Sequence, residues 1–386
     1  MNPIIKQLCD ICVASLNKQQ YISPLINEKA LFVMSKENGL TGLIYPTIKK
    51  MLSVSEISRK VEKDYYTYIA ADIKQNALAG RINALLNKHG IDHVFLKGFN
   101  LKTIYPESYM RGMGDIDILI RESDQAIVKN VFKDKKIILT GKAEHHDNYL
   151  YGKDVFIEVH HTLFPERHQF LDIDPWGLAN SISQHCYEFE KEYELVYLLS
   201  HLAKHFASSG AGLRSVLDIG LYLKHYLNKL NLDKLFDYIK AINKEIFFTN
   251  IVYLNKLLFS FDFPENLYLS PLLLYDDYWE ITQYIAMAGI HGYGHDFNIF
   301  AVQMATHQLK DKKPFSFYSN KIFPPYKTMK SIYPIIARWK ILLPFGWVLR
   351  WFRLLFKKST YNKIKKMKIK QKEVSDNINF LQKVGL

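Results

Sequence analysis

The sequence has few cysteines and few glycines for its length, while aromatic residues are plentiful. Among its 386 residues are three cysteines and 18 glycines, against 25 tyrosines and 24 phenylalanines. Three cysteines cannot cross-link a chain of this size and leave one thiol over, which argues against a disulfide-stabilised secreted fold and favours a reducing compartment. Because glycine is scarce, we expect packed helices to dominate over turn-rich sheet.

Long apolar runs are also missing. A helix that crosses a bilayer needs about 18 uncharged apolar residues, and the nearest candidate, residues 341–356, is interrupted by Pro344, Arg350 and Arg353. The first residues, MNPIIKQLCDICVASLNKQQ, lack the basic leader, apolar run and cleavage site of a secretion signal. We therefore expect a cytoplasmic protein.

Most of the chain carries no net positive charge, although the formal net charge of the whole sequence is +13. Of the 51 basic residues, 19 lie at or after Lys310, together with only 3 of the 38 acidic residues. The rest of the chain is slightly acidic and gives no electrostatic reason to expect a long nucleic-acid track. The 48% hydrophobic content at this length predicts a folded protein with two or more packing units.

Hydrophobic periodicity divides the chain into four parts. Residues 1–90 form a predicted N-terminal helical segment, and residues 91–165 a small α/β core. Residues 166–296 follow as a helical domain, and residues 297–386 as a C-terminal region with a basic aromatic tail. The predicted fold class is α+β, with a small mixed-sheet core embedded in a mostly helical chain.

Short strands and one helix are predicted inside the core. The strand patterns are HVFLKG (93–98), DIDILI (115–120), IILTGK (137–142), NYLYGK (148–153) and DVFIEVHH (154–161). Helical spacing returns over residues 123–134, with Ser123 as a candidate N-terminal cap. Helices are expected to resume near Tyr187.

Three acidic residues carry the chemistry of this core. Side chains two apart in a strand point to the same face, so Asp115 and Asp117 project together while Ile116 faces the other side. Adjacent carboxylates repel each other and are tolerated mainly around a cation, and magnesium suits such a pair. Glu158, on a second strand, reaches the same face if the two strands are neighbours, as a further ligand or as a base.

Four neighbouring residues are candidates for binding the substrate or cofactor. Gly98, at a strand-to-helix turn, lets backbone N–H groups approach a phosphate. Lys97 and Arg111 are candidate countercharges for a triphosphate, and His160 shares the face of Glu158. The plain alternative is that Asp115 and Asp117 line the solvated face of an edge strand.

The stretch LKGFNLKTIYPESYMRGMGDIDILI followed by FIEVHH resembles a large bacterial group of uncharacterised nucleotidyltransferase-like proteins in the DNA polymerase beta-like superfamily. The resemblance is strongest over residues 93–165 and weaker over 198–223 and 333–350. In that superfamily a Gly-Gly or Gly-Ser turn precedes a strand whose two aspartates bind metal, and a third acid lies on a later strand. The resemblance matches Gly98 to the turn, but Phe99 stands where the second Gly or Ser is expected.

The resemblance implies a magnesium-dependent reaction, with manganese as a substitute. It matches Asp115 and Asp117 to the metal pair and Glu158 to the third acid, in a two-metal mechanism. A nucleoside triphosphate would give its nucleotidyl group to an acceptor, which could be a protein, an RNA or a small molecule. The alternative is a catalytically degenerate member that binds nucleotide, or a partner, as a scaffold at a membrane surface.

The tail leaves three interpretations open. RWKILLPFGWVLRWFRLLFKK mixes bulky apolar and basic residues, and a lysine-rich run follows. The segment could lie on the anionic inner face of the membrane, with Trp347, Trp351 and Phe352 in the interface. It could instead contact RNA phosphates, or form a core helix followed by a solvated end.

Three residue pairs outside the core have plainer explanations. His201 and His205 are four residues apart, but Leu202 replaces the glutamate of a zinc-protease helix, so a zinc site is not favoured. Core packing is the preferred interpretation of Cys9 and Cys12. Arg214 and Asp218 are expected to form a helix-surface pair, with a role in a substrate pocket as the alternative. The glycines around His291 (289, 292 and 294) are interpreted as a loop.

Overall fold

In the part of the chain that the structure describes, seven short strands form one mixed sheet. The computed structural model describes residues 2–143, 145–163, 174–290, 298–310, 312–355 and 370–386. The strands are β1 (His93–Phe95), β2 (Asp115–Ile120), β3 (Ile137–Lys142), β4 (His146–Tyr151), β5 (Val155–His160), β6 (Ala179–Ser183) and β7 (Cys186–Phe189). Their order in the sheet is β3-β4-β5-β2-β1-β7-β6. Strand β2 runs parallel to β5 and antiparallel to β1, while β1 runs parallel to β7.

The described helices are α1 (Pro3–Leu16), α2 (Glu28–Glu37), α3 (Thr41–Ile48), α4 (Glu56–Lys88), α5 (Gly98–Leu101), α6 (Gln125–Asp134), α7 (Lys191–Ser208), α8 (Leu213–Tyr226), α9 (Leu232–Ala241), α10 (Glu245–Phe259), α11 (Tyr275–Ala288), α12 (Ile299–Leu309), α13 (Pro314–Ile322), α14 (Tyr326–Ile332), α15 (Pro334–Arg338), α16 (Leu343–Leu355) and α17 (Gln371–Val384).

The longest of these helices, α4, begins with a reciprocal cap. The Ser55 hydroxyl accepts from the Ser58 backbone N–H at 3.2 Å, and the Ser58 hydroxyl accepts from that of Ser55 at 3.0 Å. Two otherwise unpaired N–H groups are satisfied, which fixes the helix start.

Alternation along β2 separates an apolar face from an acidic one. Ile116, Ile118 and Ile120 are fully buried in a core formed with α4 and α6, and each contributes roughly 1.5–3 kcal/mol. Asp115 and Asp117 therefore project from the opposite face. A slip of one residue would turn the carboxylates into this apolar core and the isoleucines away from it, so this packing fixes the register that positions the acidic side chains.

Helices α7 and α8 face the acidic side of the sheet. They share a large hydrophobic core with α1, α3 and α10, and the sheet contributes Val94 and Leu119 to it. Cys9 and Cys12 are buried in this core as free thiols, which confirms their interpretation as packing residues. None of the helices in the described ranges is long and apolar enough to span a membrane.

The α+β prediction is confirmed, and each of the five predicted strand patterns overlaps a strand, although β4 begins at His146, two residues before its pattern. The Ser123 cap is wrong, because Ser123 lies in a 3-10 turn (Glu122–Asp124) and α6 begins at Gln125 without a side-chain cap. The sheet also continues past residue 165 and past Tyr187, since β6 and β7 precede α7. Strand β7 forms there because β1 offers a parallel partner, which local periodicity does not reveal.

Candidate active site

Three carboxylates meet where β2 and β5 lie side by side. The parallel register places Asp117 opposite Glu158. One carboxylate oxygen from each of Asp115, Asp117 and Glu158 lies within 4.8 Å of the other two. Side chains from separate segments are therefore gathered into one group of a size that suits a metal ion.

Two basic side chains, a lysine and a histidine, hold Asp117 in place. Its Oδ1 accepts from Lys97 Nζ at 2.7 Å and from His160 Nε2 at 2.8 Å, and the residue is only 4% exposed. Burial by itself would raise the pKa of Asp117, but the positive charge of Lys97 and the hydrogen bond from His160 hold this pKa well below its usual range. Asp117 is therefore ionised and fixed in orientation at neutral pH.

Asp115 has the opposite electrostatic character. Burial raises the pKa of Asp115 to about 7, and the negative charges of Asp117 and Glu158 add to the effect. Burial would raise the pKa of Glu158 too, but its contact with His160 lowers it. Asp115 is therefore the carboxylate of this group whose negative charge is most disfavoured, first by burial and then by the neighbouring charges.

The raised pKa of Asp115 predicts a pH-dependent difference in the free energy of unfolding between the wild type and Asp115→Asn, both without metal. A folded-state pKa of about 7 lies above the ordinary value of 3.8, so the wild type loses stability as pH rises between those values. We expect the two proteins to unfold at similar free energies near pH 4, because a protonated aspartate resembles asparagine. Above about pH 8 the variant should be more stable by on the order of 4 kcal/mol, since each pKa unit is equivalent to about 1.4 kcal/mol.

Denaturant unfolding in a chelator at a series of pH values measures this difference. Asp154→Asn is the matched control. Asp154 is an exposed aspartate that directly precedes β5 and forms an ion pair with Lys74 of α4. The difference in free energy of unfolding between this control and the wild type should not change with pH in the same way. If the free energies of unfolding of the wild type and Asp115→Asn change with pH in parallel, the raised pKa of Asp115 is contradicted.

The turn after β1 is built around a close approach by Arg111. A Cβ on Gly98 would lie 2.4 Å from Arg111 Nη1 and 2.9 Å from Met113 Cγ, so only glycine fits there. This contact is a structural reason for Gly98, separate from the expected approach of a phosphate. Lys97, just before it, is held at φ +48°, a conformation that costs a non-glycine residue of order 1 kcal/mol or more.

Arg111 forms a buried ion pair with Asp218 of α8. Its Nη2 donates to Asp218 Oδ2 at 2.9 Å and its Nε to Oδ1 at 3.3 Å, and the Tyr105 hydroxyl donates to Oδ1 at 2.8 Å. The expected surface pair of Arg214 with Asp218 is therefore wrong. Arg214 donates from Nη1 to the Gly112 carbonyl at 2.8 Å, and its buried Nε has no hydrogen-bond partner in the described part of the chain.

All seven sequence-predicted residues line one cavity of about 390 Å³. They are Lys97, Gly98, Arg111, Asp115, Asp117, Glu158 and His160. The opposite wall comes from α7, α8 and the loop between them, and includes Tyr197, His201, Lys204, His205 and Arg214. An acidic floor on the sheet thus faces a wall rich in basic and imidazole groups.

The family comparison agrees with this arrangement. Residues 24–260 match a family described as "Uncharacterised nucleotidyltransferase". The chain belongs to this family. The match spans the sheet and helices α7 to α10, so it contains both walls of the cavity.

Other comparisons are less informative. No curated protein matches the chain. The solution structure of the antibiotic-resistance factor ANT(2'')-Ia is similar at a TM-score of 0.35 and 11% identity, over 44% of this chain and 92% of that one. A similarity this weak carries no argument about this nucleotidyltransferase family member.

Several residues of the cavity wall were not predicted from the sequence to line a cavity. Tyr197, His201 and His205 recur every four residues along α7, a polar stripe on an otherwise apolar helix that could have indicated a cavity wall. The Nε2 atoms of His201 and His205 lie 3.3 Å apart. Among the residues the structure describes, no third ligand joins this pair in a metal-sized group.

Two remaining predictions have different outcomes. Phe99 stands where the superfamily has Gly or Ser, and its ring packs against Phe95 at a centroid distance of 4.6 Å rather than lining the cavity. It therefore leaves the cavity open. Most of the loop around His291 (residues 291–297) lies outside the described ranges.

Proposed function

We propose that this chain transfers a nucleotidyl group from a nucleoside triphosphate to an acceptor and releases pyrophosphate. The observation that carries the proposal is the convergence of Asp115, Asp117 and Glu158 within 4.8 Å on the floor of a cavity with a basic opposite wall. Family membership supports the reaction class. A cavity of about 390 Å³ is within the range of small-molecule sites, roughly 300–1,000 Å³.

The donor set fits magnesium, with manganese as a substitute. All three groups offer hard carboxylate oxygens, and the raised pKa of Asp115, about 7, marks a crowding of negative charge that a divalent cation relieves. Magnesium bound to these oxygens would supply charge neutralisation for the triphosphate and the departing pyrophosphate. We propose two such ions, which Asp115 and Asp117 would hold, with Glu158 as a further ligand or as a base.

The side chains around the donor set have separate roles in this proposal. Lys97 and His160 fix the oxygens of Asp117 for binding, since both donate to its Oδ1. Glu158 accepts the proton of the acceptor group when it is not engaged as a ligand. The unpartnered Nε of Arg214 and the imidazole of His201, on the opposite wall, receive the phosphate oxygens.

Label transfer tests the proposal directly. The purified protein is incubated with each α-³²P nucleoside triphosphate, magnesium and a set of acceptors comprising cell protein, RNA and small metabolites. Magnesium-dependent transfer of label to one class, lost in Asp115→Asn/Asp117→Asn, supports the enzyme and identifies the acceptor. Triphosphate binding without transfer to any acceptor would favour the degenerate nucleotide-binding scaffold instead.

A second proposal concerns the surface of α16. Phe345, Leu349 and Phe352 share one face of this helix and are 69%, 59% and 58% exposed. Trp347 and Trp351, predicted for the interface, face the protein instead and donate to the carbonyls of Pro324 and Ile322.

The exposed face lies in the most basic part of the sequence, where 19 basic residues accompany 3 acidic ones from Lys310 onward. Apolar side chains combined with positive charge fit an anionic lipid surface. We propose that a cytoplasmic form of the protein docks there, on the inner face of the membrane.

Vesicle binding tests the lipid surface. We expect the protein to sediment with vesicles containing about one third phosphatidylglycerol and not with pure phosphatidylcholine. Phe345→Ser/Leu349→Ser should bind at least about tenfold more weakly, because each exposed apolar side chain contributes roughly 1 kcal/mol or more to insertion.

Ile22→Ser/Ile73→Ser is the matched control, since both side chains are exposed elsewhere, at 86% and 63%. This control should bind vesicles as the wild type does. If the α16 variant binds vesicles as tightly as the wild type, or if the protein prefers RNA to vesicles, the proposed docking of α16 on lipid is overturned.

A further inference from the structure

A second group of potential metal ligands adjoins the three carboxylates. One ligand atom from each of His146, Glu158 and His160 lies within 4.8 Å of the other two. His146 begins β4 and pairs directly with His160 at the end of β5. The two groups share Glu158, but this one brings two imidazoles where the first has only carboxylates.

The spacing inside this group is that of ligands around an ion. His160 Nε2 lies 3.5 Å from Glu158 Oε2, and His146 Nε2 lies 3.7 Å from Glu158 Oε1. Charge-assisted hydrogen bonds are shorter, about 2.7–2.9 Å, as in the 2.8 Å contact of His160 with Asp117. Two ligands that each lie about 2.1 Å from a tetrahedral ion are about 3.4 Å apart.

The imidazoles also have unused nitrogen atoms. Nδ1 of His146 and Nδ1 of His160 are buried without a hydrogen-bond partner in the part of the chain that the structure describes. His160 itself is only 5% exposed, and His146 lines the cavity. Leaving buried polar atoms unsatisfied is unfavourable, so this corner of the cavity is not optimised for the protein alone.

We propose that His146, Glu158 and His160 form a site for a transition-metal ion of the zinc class. Two imidazoles and one carboxylate favour such borderline ions over magnesium, which prefers oxygen ligands and retains water. Glu158 lies between the two sites and can contact an ion in either, whereas His160 Nε2 would give up its hydrogen bond to Asp117 Oδ1 when it binds an ion. The inference shares Glu158 with the proposed magnesium site but does not depend on the transfer reaction.

Metal binding tests the site without any activity measurement. Protein stripped of metal is dialysed against zinc in the presence of excess magnesium, and bound zinc is measured by mass spectrometry. Cobalt(II) replaces zinc in a second series, where its visible absorption reports nitrogen ligation. We expect one equivalent of ion in the wild type and an affinity about 100-fold lower in His146→Ala.

Two further variants separate this site from other histidines. His161→Ala changes the next residue after β5, which belongs to neither ligand group, and should bind zinc as the wild type does. His201→Ala removes one half of the α7 pair and should also leave binding unchanged. Circular dichroism checks that each variant is folded.

Loss of zinc in His201→Ala but not in His146→Ala would overturn the proposal, and so would zinc that magnesium displaces completely. The result is independent of the proposed reaction. Zinc binding without nucleotidyl transfer would contradict only the reaction, while transfer by a protein that binds no zinc would contradict only this site.

Discussion

Replacing Asp117 with asparagine is expected to reduce nucleotidyl transfer by at least about 10³-fold, equal to about 4 kcal/mol of transition-state stabilisation. Asparagine keeps the size of the side chain but removes its charge. Asp117 is buried and held by Lys97 and His160, so no neighbouring water can take over its position as a ligand. The same change leaves Lys97 and His160 without their carboxylate partner, which is expected to weaken the proposed metal binding further.

The rate of label transfer at saturating triphosphate measures this effect, alongside magnesium affinity. Asp154→Asn is again the control, because Asp154 is exposed and lies outside the cavity lining, and it should retain the wild-type rate. If Asp117→Asn transfers label at a rate within about tenfold of the wild type, the carboxylate is not a metal ligand in the reaction.

Replacing Arg111 with methionine is expected to lower the free energy of unfolding by about 3–5 kcal/mol. The side chains of Arg111 and Asp218 are 10% and 7% exposed, so the variant leaves a buried carboxylate without its closest cation. Burial would lower the pKa of Arg111, but the carboxylate of Asp218 raises it, which indicates that the pair remains ionised. Denaturant unfolding monitored by circular dichroism measures the change.

Two variants make this prediction specific. Arg111→Met/Asp218→Leu removes both charges and should recover most of the lost stability, since an apolar pair of similar volume needs no compensation. Arg121→Met breaks the more exposed pair of Arg121 with Asp92 and should cost about 0–1 kcal/mol. A double variant as unstable as Arg111→Met would show that packing, and not charge, explains the loss.

Local patterns were sufficient to predict the strands that carry the carboxylates. The alternation of Asp115, Ile116 and Asp117 predicted which side chains share a face, and the burial of Ile116 confirms it. A strand has a side-chain period of two wherever it lies, so this information is contained in six consecutive residues. Partners distant in sequence were not accessible in this way.

The role of Arg111 shows the limit. Sequence patterns suggested a countercharge for a triphosphate, whereas its guanidinium is bound by Asp218, 107 positions away. Arg214 was paired with Asp218 because four residues separate them, yet the tertiary fold gives Asp218 to another arginine. Helical spacing allows a contact but does not select among competitors.

The amino-acid sequence by itself determined the acidic residues, their faces and the helical surroundings, because each depends on neighbours within a turn or a strand. Only the tertiary structure decided that β5 lies beside β2 in a register that sets Glu158 opposite Asp117. It also decided that α7 and α8 close the cavity and that His146 adjoins the same carboxylate. Strand pairing and helix packing are chosen by burial over the whole chain, and no short segment contains that information.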